Sequence, residues 1–408
     1  MKFSTIVLAA TIVCATNATA AGNNAGNKQD SVRSTVDDAI RPMMAKDNIP
    51  GVAVAVAVAG RVYVFNYGVA STKTRQPVTS DTLFEIGSVT KTFTATLASW
   101  AQVENRLSLS DNTAKYLPAL QGTPFGNVTL LNLGTHTPGG LPLQVPVNVT
   151  NDNQLMQYLK QWHPTYAPGT YRTYSTPGIG MLGFITAKSM GQDFSVLMEQ
   201  QLFPDLGMKS TFIQVPAAKM SDYAQGYTDE GAPIRMSTGM LWSEAYGVRT
   251  TAADLIRFVE ANMSLIKING TLARAIAQTH TGYFMAGPMT QDLVWEQYPY
   301  PVALKSLLEG NSPAMIFKAT PVSAIKPPEP PNDATWINKT GSTNGFGAYV
   351  AFVPEKRLGI VILANKSFPI EDRVTAAYSI LTSLAAAEQA RQRSPGGPPA
   401  TRHRAAER

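Results

Sequence analysis

Ser88 and Lys91 stand three residues apart in "EIGSVTKTF", at the head of an apolar run. Three residues is about one helical turn, so a helix opening there puts both side chains on one face. A serine hydroxyl is a poor nucleophile until a base removes its proton, and an amine of lowered pKa is such a base. The same letters have an ordinary reading, a serine N-cap followed by a surface lysine. The spacing also recurs at Ser264/Lys267 and Ser323/Lys326. The last pair runs into Pro327-Pro328, where no helix can present it. The middle pair leads into Asn269-Gly270, read as a helix C-terminus whose dipole a lysine complements.

Two further stretches supply partners for Ser88. "YRTYSTPG" places Tyr174 in a Gly/Pro-rich loop, and "NKTGSTNGFG" places Lys339-Thr340-Gly341 at the end of a strand. Taken singly, Tyr174 reads as a packed aromatic with a hydrogen-bonded tip, and Lys339 as an edge-strand charge that discourages aggregation. Taken together they make a base system. Cations near a tyrosine favour its phenolate, and neighbouring ammonium groups depress one another. Gly341 lets a substrate approach the strand closely. The backbone N–H groups of Ser88 and Ser342 could then face a developing oxyanion.

The elements that must position these groups come from both ends of the chain. "SVRSTVDDAIRPMMAKDNIPG" carries Val32, Val36, Ile40 and Met43 at helical spacing and stops at Pro50-Gly51. "VAVAVAVAGRVYVFNYG" reads as a hairpin turning at Ala59-Gly60. Near the other end, "GAYVAFVPEKRLGIVILAN" reads as two strands joined at Pro354-Glu355-Lys356, and "EDRVTAAYSILTSLAAAEQA" as a closing helix. "KPPEPPND", residues 326–333, reads as a Pro-rich connection. The middle is richer in helix, as in "TAADLIRFVEANMSLI", with Leu255, Phe258, Val259 and Ala261 on one side. The expectation is an α/β fold: an antiparallel sheet flanked by helices, built from about residues 21–85 and 300–388. A mostly helical region, about 86–299, is inserted, and the site lies in the cleft between the two parts.

The chain has 408 residues, 44% hydrophobic and 15% charged, enough for a large core. Lys2, the apolar run Phe3 to Cys14 and Ala18-Thr19-Ala20 form a secretory signal pattern over residues 1–20. Val13 precedes Cys14, which does not suit lipidation, and no other segment is apolar for long enough to span a membrane. Cys14 is the only cysteine, so disulfide and thiolate chemistry are not expected after the leader. The net charge of +6 is concentrated in the tail 389–408, where five of the arginines accompany one glutamate. That tail reads as disordered, and the near-neutral body gives no reason to expect nucleic-acid binding. The four histidines show no metal-ligand spacing.

With these residues in view, the sequence resembles the class C serine β-lactamases, AmpC-type cephalosporinases. The likeness runs from about Val32 to Ala387 and includes "GGLPLQVP", "AYGVRTT" and "KTGSTNGFGAYVAFVPEKRLGIVILANK". A related set of short motifs marks class A enzymes and penicillin-binding proteins. The resemblance implies a monomeric periplasmic enzyme, without metal or organic cofactor, that opens β-lactam rings through an acyl-enzyme on Ser88. Lys91 and Tyr174 would share the proton work, with Lys339 holding Tyr174 and the substrate carboxylate. Ser88 and Ser342 N–H groups would form the oxyanion hole, and Gln144, Thr176, Tyr246, Thr340 and Arg373 would line the cleft. Three positions depart from the family pattern. Thr176 replaces an asparagine, Ile370 replaces an asparagine that contacts the substrate carboxylate, and Asn338 replaces a histidine. Asn338 also creates a glycosylation sequon, and a glycan there would block the cleft. A D-alanyl-D-alanine peptidase or an esterase would use the same nucleophile. A non-catalytic β-lactam sensor would need a membrane helix that the sequence does not show.

Overall fold

The structure, a computed structural model, describes residues 16–393. Its centre is a ten-stranded antiparallel sheet. In chain order its strands are β1 (Gly51–Val58), β2 (Arg61–Gly68), β3 (Tyr171–Arg172), β4 (Gly282–Ala286) and β5 (Met289–Gln291), followed by β6 (Glu296–Pro299), β7 (Thr320–Glu329), β8 (Thr335–Thr343), β9 (Phe346–Val353) and β10 (Leu358–Ala364). Across the sheet the order is β2-β1-β10-β9-β8-β6-β5-β4-β7-β3. N-terminal β1 therefore pairs with C-terminal β10, Val52 opposite Ala364 and Val58 opposite Leu358.

The alternation in β1 explains the layering. Side chains on a strand point to opposite faces in turn. Val52, Val54, Val56 and Val58 join one core, which includes the N-terminal helix α1 (Thr16–Asp47) and the C-terminal helix α8 (Ile370–Arg393). Ala53, Ala55 and Ala57 join the other, beneath α5 (Ala252–Asn262). The small alanines let this helix sit close to the sheet. Ala59 and Gly60 both have positive φ, 51° and 80°, as a two-residue hairpin turn of matching twist requires.

The second core joins the sheet to α2 (Thr90–Val103), and a third packs α2 against α3 (Thr176–Met190). Helix α2 is buried along most of its length, although it carries many hydroxyls. These are satisfied internally: Thr92 donates to Val89 O at 2.8 Å, Thr96 to Thr92 O at 2.9 Å, and Ser99 to Ala275 O at 2.7 Å. Such a helix is a rigid stem for whatever stands at its N-terminus.

Several boundaries differ from the sequence reading. Residues 282–299 supply three strands to the sheet, so its share of the chain begins well before 300. These strands are too short and irregular to show a period. The Pro-rich segment is partly strand, since β7 runs to Glu329, with its pairing to β4 interrupted after Ala324. Lys339 lies mid-strand in β8, an internal strand between β9 and β6. Asn269-Gly270 starts a helix: Asn269 caps α6 (Gly270–Gln278) by accepting from Thr271 N at 2.8 Å. The last helix continues to Arg393, five residues into the expected tail. Residues 394–408 lie outside the described residues, as do residues 1–15 of the expected leader; residues 16–20 begin α1. Among the described residues no helix is long and apolar enough to cross a membrane.

Candidate active site

Ser88 sits in a single 3-10 turn, Gly87–Val89, that leads into α2. Its hydroxyl is not a cap. It accepts a hydrogen bond from Lys91 Nζ at 3.0 Å, and the same ammonium donates to Ala245 O at 2.9 Å. Lys91 is fully buried. Burial lowers its pKa, Lys339 lowers it further, and Tyr174 opposes the drop. Ala245 ends the short helix α4 (Trp242–Ala245).

Tyr174 is held among cations. Lys339 Nζ lies 5.2 Å from its ring centroid, Lys91 Nζ 5.4 Å and Arg172 Cζ 5.5 Å. Burial alone would push the phenol pKa up. Lys339, Lys91 and a hydrogen bond with Ser88 together outweigh burial, so the phenol is more acidic than free tyrosine. Its neighbour Ser175 has a structural task, capping α3 by accepting from Gly178 N at 3.0 Å. Ser175 N–H in turn donates to His136 Nδ1 at 3.2 Å, and the His136 ring lies 4.5 Å from Tyr174. Burial, Arg172, Lys91 and Lys339 all press the pKa of His136 well down, so it is a neutral imidazole.

Lys339 approaches Glu296 Oε1 at 3.6 Å and donates to Thr340 O at 3.3 Å. The Glu296 carboxylate also takes Arg172 Nη2 at 3.0 Å; Arg172 Nε donates to Gln291 Oε1 at 2.7 Å and Nη1 to Met315 O at 2.7 Å. Arg172, Glu296 and His136 were not found by sequence reasoning. Only Arg172 carried a signal, two residues before Tyr174; Glu296 is a lone acid in a short strand.

The turn of Ser88 and strand β8 are pressed together. A Cβ on Gly341 would lie 1.9 Å from Ile86 O and 2.9 Å from Val89 N, and a Cβ on Gly87 (φ 49°) would lie 2.6 Å from Ser342 N. Only glycine tolerates both approaches. The backbones of residues 87–89 and 341–342 thus face each other at the mouth of a cavity of about 410 Å³. Its lining includes Ser88, Tyr174, Lys339, Thr340 and Gln144. A neighbouring cavity of about 310 Å³ shares Ser88, Gln144, Thr176 and Ser342 and adds Lys91 and Tyr246.

Of the residues expected to line the cleft, Gln144 is on its exposed rim, Tyr246 is half-buried, and Thr176 and Thr340 are 3% and 8% exposed at its floor. Arg373 is a correction. It is 1% exposed and lines neither cavity; it lies behind β8, where its guanidinium donates to backbone carbonyls and to Ser342 Oγ. Ile370 does line the larger cavity. Asn338 is buried in a hub: Nδ2 donates to Glu296 O at 2.9 Å, while Oδ1 accepts from Tyr349 Oη and from Nδ2 of Asn311, which closes α7 (Leu304–Gly310), each at 2.9 Å. Among the described residues no group of three or more His, Cys, Asp or Glu could hold a metal ion.

A hydroxyl bonded to a buried amine, beside a phenol flanked by two ammonium groups, is the equipment of nucleophilic acyl transfer. Comparison with known proteins agrees. The Beta-lactamase family model matches residues 36–385. A beta-lactamase of Lysobacter lactamgenus is 54% identical over 346 residues, covering 85% of this chain and 90% of that protein. The crystal structure of D-alanine carboxypeptidase AmpC from Burkholderia cenocepacia matches with TM-score 0.84 and 63% identity, covering 87% of this chain and 99% of that one. A class C beta-lactamase in complex with cefoxitin matches with TM-score 0.85 and 51% identity, covering 87% and 99%. The chain belongs to the beta-lactamase family, as a serine hydrolase of class C.

Proposed function

We propose that the enzyme hydrolyses the β-lactam ring of cephalosporins and penicillins and so protects its host against them. The observation that carries this reading is the 3.0 Å contact between Lys91 Nζ and Ser88 Oγ, beside a tyrosine whose pKa two cations draw down. Ser88 Oγ attacks the lactam carbonyl carbon, and its proton passes to the Tyr174 phenolate or to neutral Lys91. The oxyanion is held by the Ser88 and Ser342 N–H groups. The C–N bond then breaks, and the ring nitrogen takes that proton from whichever of the two groups received it. Water attacks the ester with the same base, and Ser88 leaves with its proton restored. Lys339 and Thr340 would receive the substrate carboxylate, with Gln144, Thr176 and Tyr246 around the acyl side chain. The hydrophobic leader supports export to the periplasm, where a monomer would meet its substrates.

Purified mature protein and Ser88→Ala should be compared on a chromogenic cephalosporin. Sustained turnover by the wild type, absent in the variant, is expected; no turnover and no adduct on Ser88 would sink the reading. The 63% identity to a protein named D-alanine carboxypeptidase favours a second activity on the same nucleophile. It predicts D-alanine release from a peptide ending in D-alanyl-D-alanine. A stoichiometric burst with a lasting Ser88 adduct, together with that release, would put the peptidase first.

A further inference from the structure

Arg373 stands in the first turn of α8, yet its side chain turns into the sheet. Nη1 donates to Gly341 O at 2.7 Å, to Ser342 Oγ at 3.1 Å and to Ala348 O at 3.3 Å, and Nη2 donates to Phe368 O. The Phe368 ring centroid lies 4.4 Å from Cζ. Gly347, opposite Ser342 in the register, makes the room: a Cβ there would lie 2.9 Å from Cζ. Among the described residues Arg373 makes no ion pair: both Nη groups of this buried cation meet neutral acceptors only, and Nε has no hydrogen-bond partner. Burial is costly for a charge without a carboxylate beside it, which calls for an explanation beyond tying α8 to the sheet.

The explanation lies in the first of those acceptors. Gly341 C=O and Ser342 N–H are the two ends of one peptide group, conjugated through the C–N bond. A cation donating to the carbonyl draws electron density from the nitrogen, so the N–H at the other end becomes a stronger donor; hydrogen bonds in a chain reinforce one another in this way. The same bond fixes the plane of the peptide. We propose that Arg373 is a positioning residue that orients and polarises the Gly341–Ser342 peptide group, strengthening the Ser342 N–H as a donor to the oxyanion. The inference rests on the acyl-transfer reading given above. Burial lowers the Arg373 pKa to about 9 against the pull of Asp47, Asp229 and Asp372, which leaves the guanidinium charged at neutral pH.

The test is vibrational and kinetic. Wild type, Arg373→Gln and Arg373→Lys are acylated with a penicillin carrying ¹³C at the lactam carbonyl, and the ester C=O band is read by infrared difference spectroscopy. Affinity for phenylboronic acid, which forms a tetrahedral adduct on serine, is measured beside kcat and KM. In Arg373→Gln the band moves to higher frequency and boronate affinity falls with kcat, by roughly tenfold, while KM changes far less; losing a whole oxyanion donor costs ~10²–10³. Arg373→Lys restores part of each. Should the Gln variant not fold, Arg373→Lys carries the test alone, because one ammonium cannot reproduce the guanidinium's set of bonds and the band must still move. A band and a boronate affinity unchanged in variants that merely unfold more easily would overturn the proposal and leave Arg373 a structural tie. A wild type that forms no Ser88 adduct would instead overturn the acyl-transfer reading beneath it.

Discussion

At the scale of single residues, fixed charges in the site move the proton affinities of their neighbours. Lys339 and Lys91 each favour the Tyr174 phenolate. Removing one cation must therefore raise the tyrosine's pKa. In Lys339→Ala the acidic limb of the kcat/KM profile should move to higher pH, by about one unit or more; a limb that stays in place would remove Tyr174 from the base role. Thr176 offers one hydroxyl, where the asparagine that the resemblance implies would offer both a donor and an acceptor. It lies on the floor of both cavities, and Lys91 lines one of them. Thr176→Asn adds a polar arm toward Lys91 and toward the acyl side chain, and a hydrogen bond to a charged group contributes roughly 1.5–3 kcal/mol. Turnover of bulky cephalosporins should rise; a fall would show that threonine already suits the cleft.

At the scale of elements, the geometry of the candidate site is a contact between one turn and one strand. The 3-10 turn of Ser88 is braced from behind by α2, and β8 is braced by β9, β6 and the Asn338 hub. Gly341 sets the distance between them. In Gly341→Ala the new methyl would meet the Ile86 carbonyl, backbone against backbone, so the strand and the turn must part. A displacement of about 1 Å at a reacting centre can cost about 10²-fold. Acylation measured by stopped flow should fall by about that factor, even if the variant melts near the wild-type temperature. Unchanged acylation would mean that the Ser342 N–H is not needed where it stands. The hub also accounts for the buried sequon: Asn338 is fully enclosed, so in the folded chain its amide serves β6 and Tyr349 and is not open to a glycan.

At the scale of the whole molecule, stability and pH are linked through buried groups that do not line the cleft. Asp292, in the turn between β5 and β6, is fully buried, and neither carboxylate oxygen has a hydrogen-bond partner. Burial raises its pKa well above the usual range, with Glu329 and Glu296 adding to the rise. A folded pKa above the unfolded one favours the fold below the unfolded pKa, and that contribution is lost as pH rises through the folded value. Asn keeps the shape and does not ionise. Asp292→Asn should be more stable than the wild type at pH 8 by about 1–3 kcal/mol, and the gap should close toward pH 4. His280, whose pKa burial lowers to about 4, gives both proteins the opposite trend and cancels in the comparison. Denaturant unfolding across this pH range decides it; equal stability at pH 8 would mean that the carboxylate is solvated after all.

What the sequence determined by itself was local in origin. The strict valine–alanine alternation made β1 a two-faced strand, Ala59-Gly60 made its turn, and Ser88, Tyr174 and Lys339, each with an ordinary reading by itself, stood out only in combination. Tertiary structure decided what depends on register between distant segments. Pairing of Glu296 with Asn338 across β6 and β8 brings a lone glutamate beside Lys339 and Arg172, and nothing local marks it. Arg373 was legible as a residue near the cleft, but the side of β8 on which its guanidinium lies follows from how α8 packs against the sheet. Period and turn chemistry act over a few residues and can be read along the chain. The burial, ion pairing and proton affinity of a charge depend on neighbours remote in the chain, as Arg172 and Glu296 are, and only the folded chain supplies them.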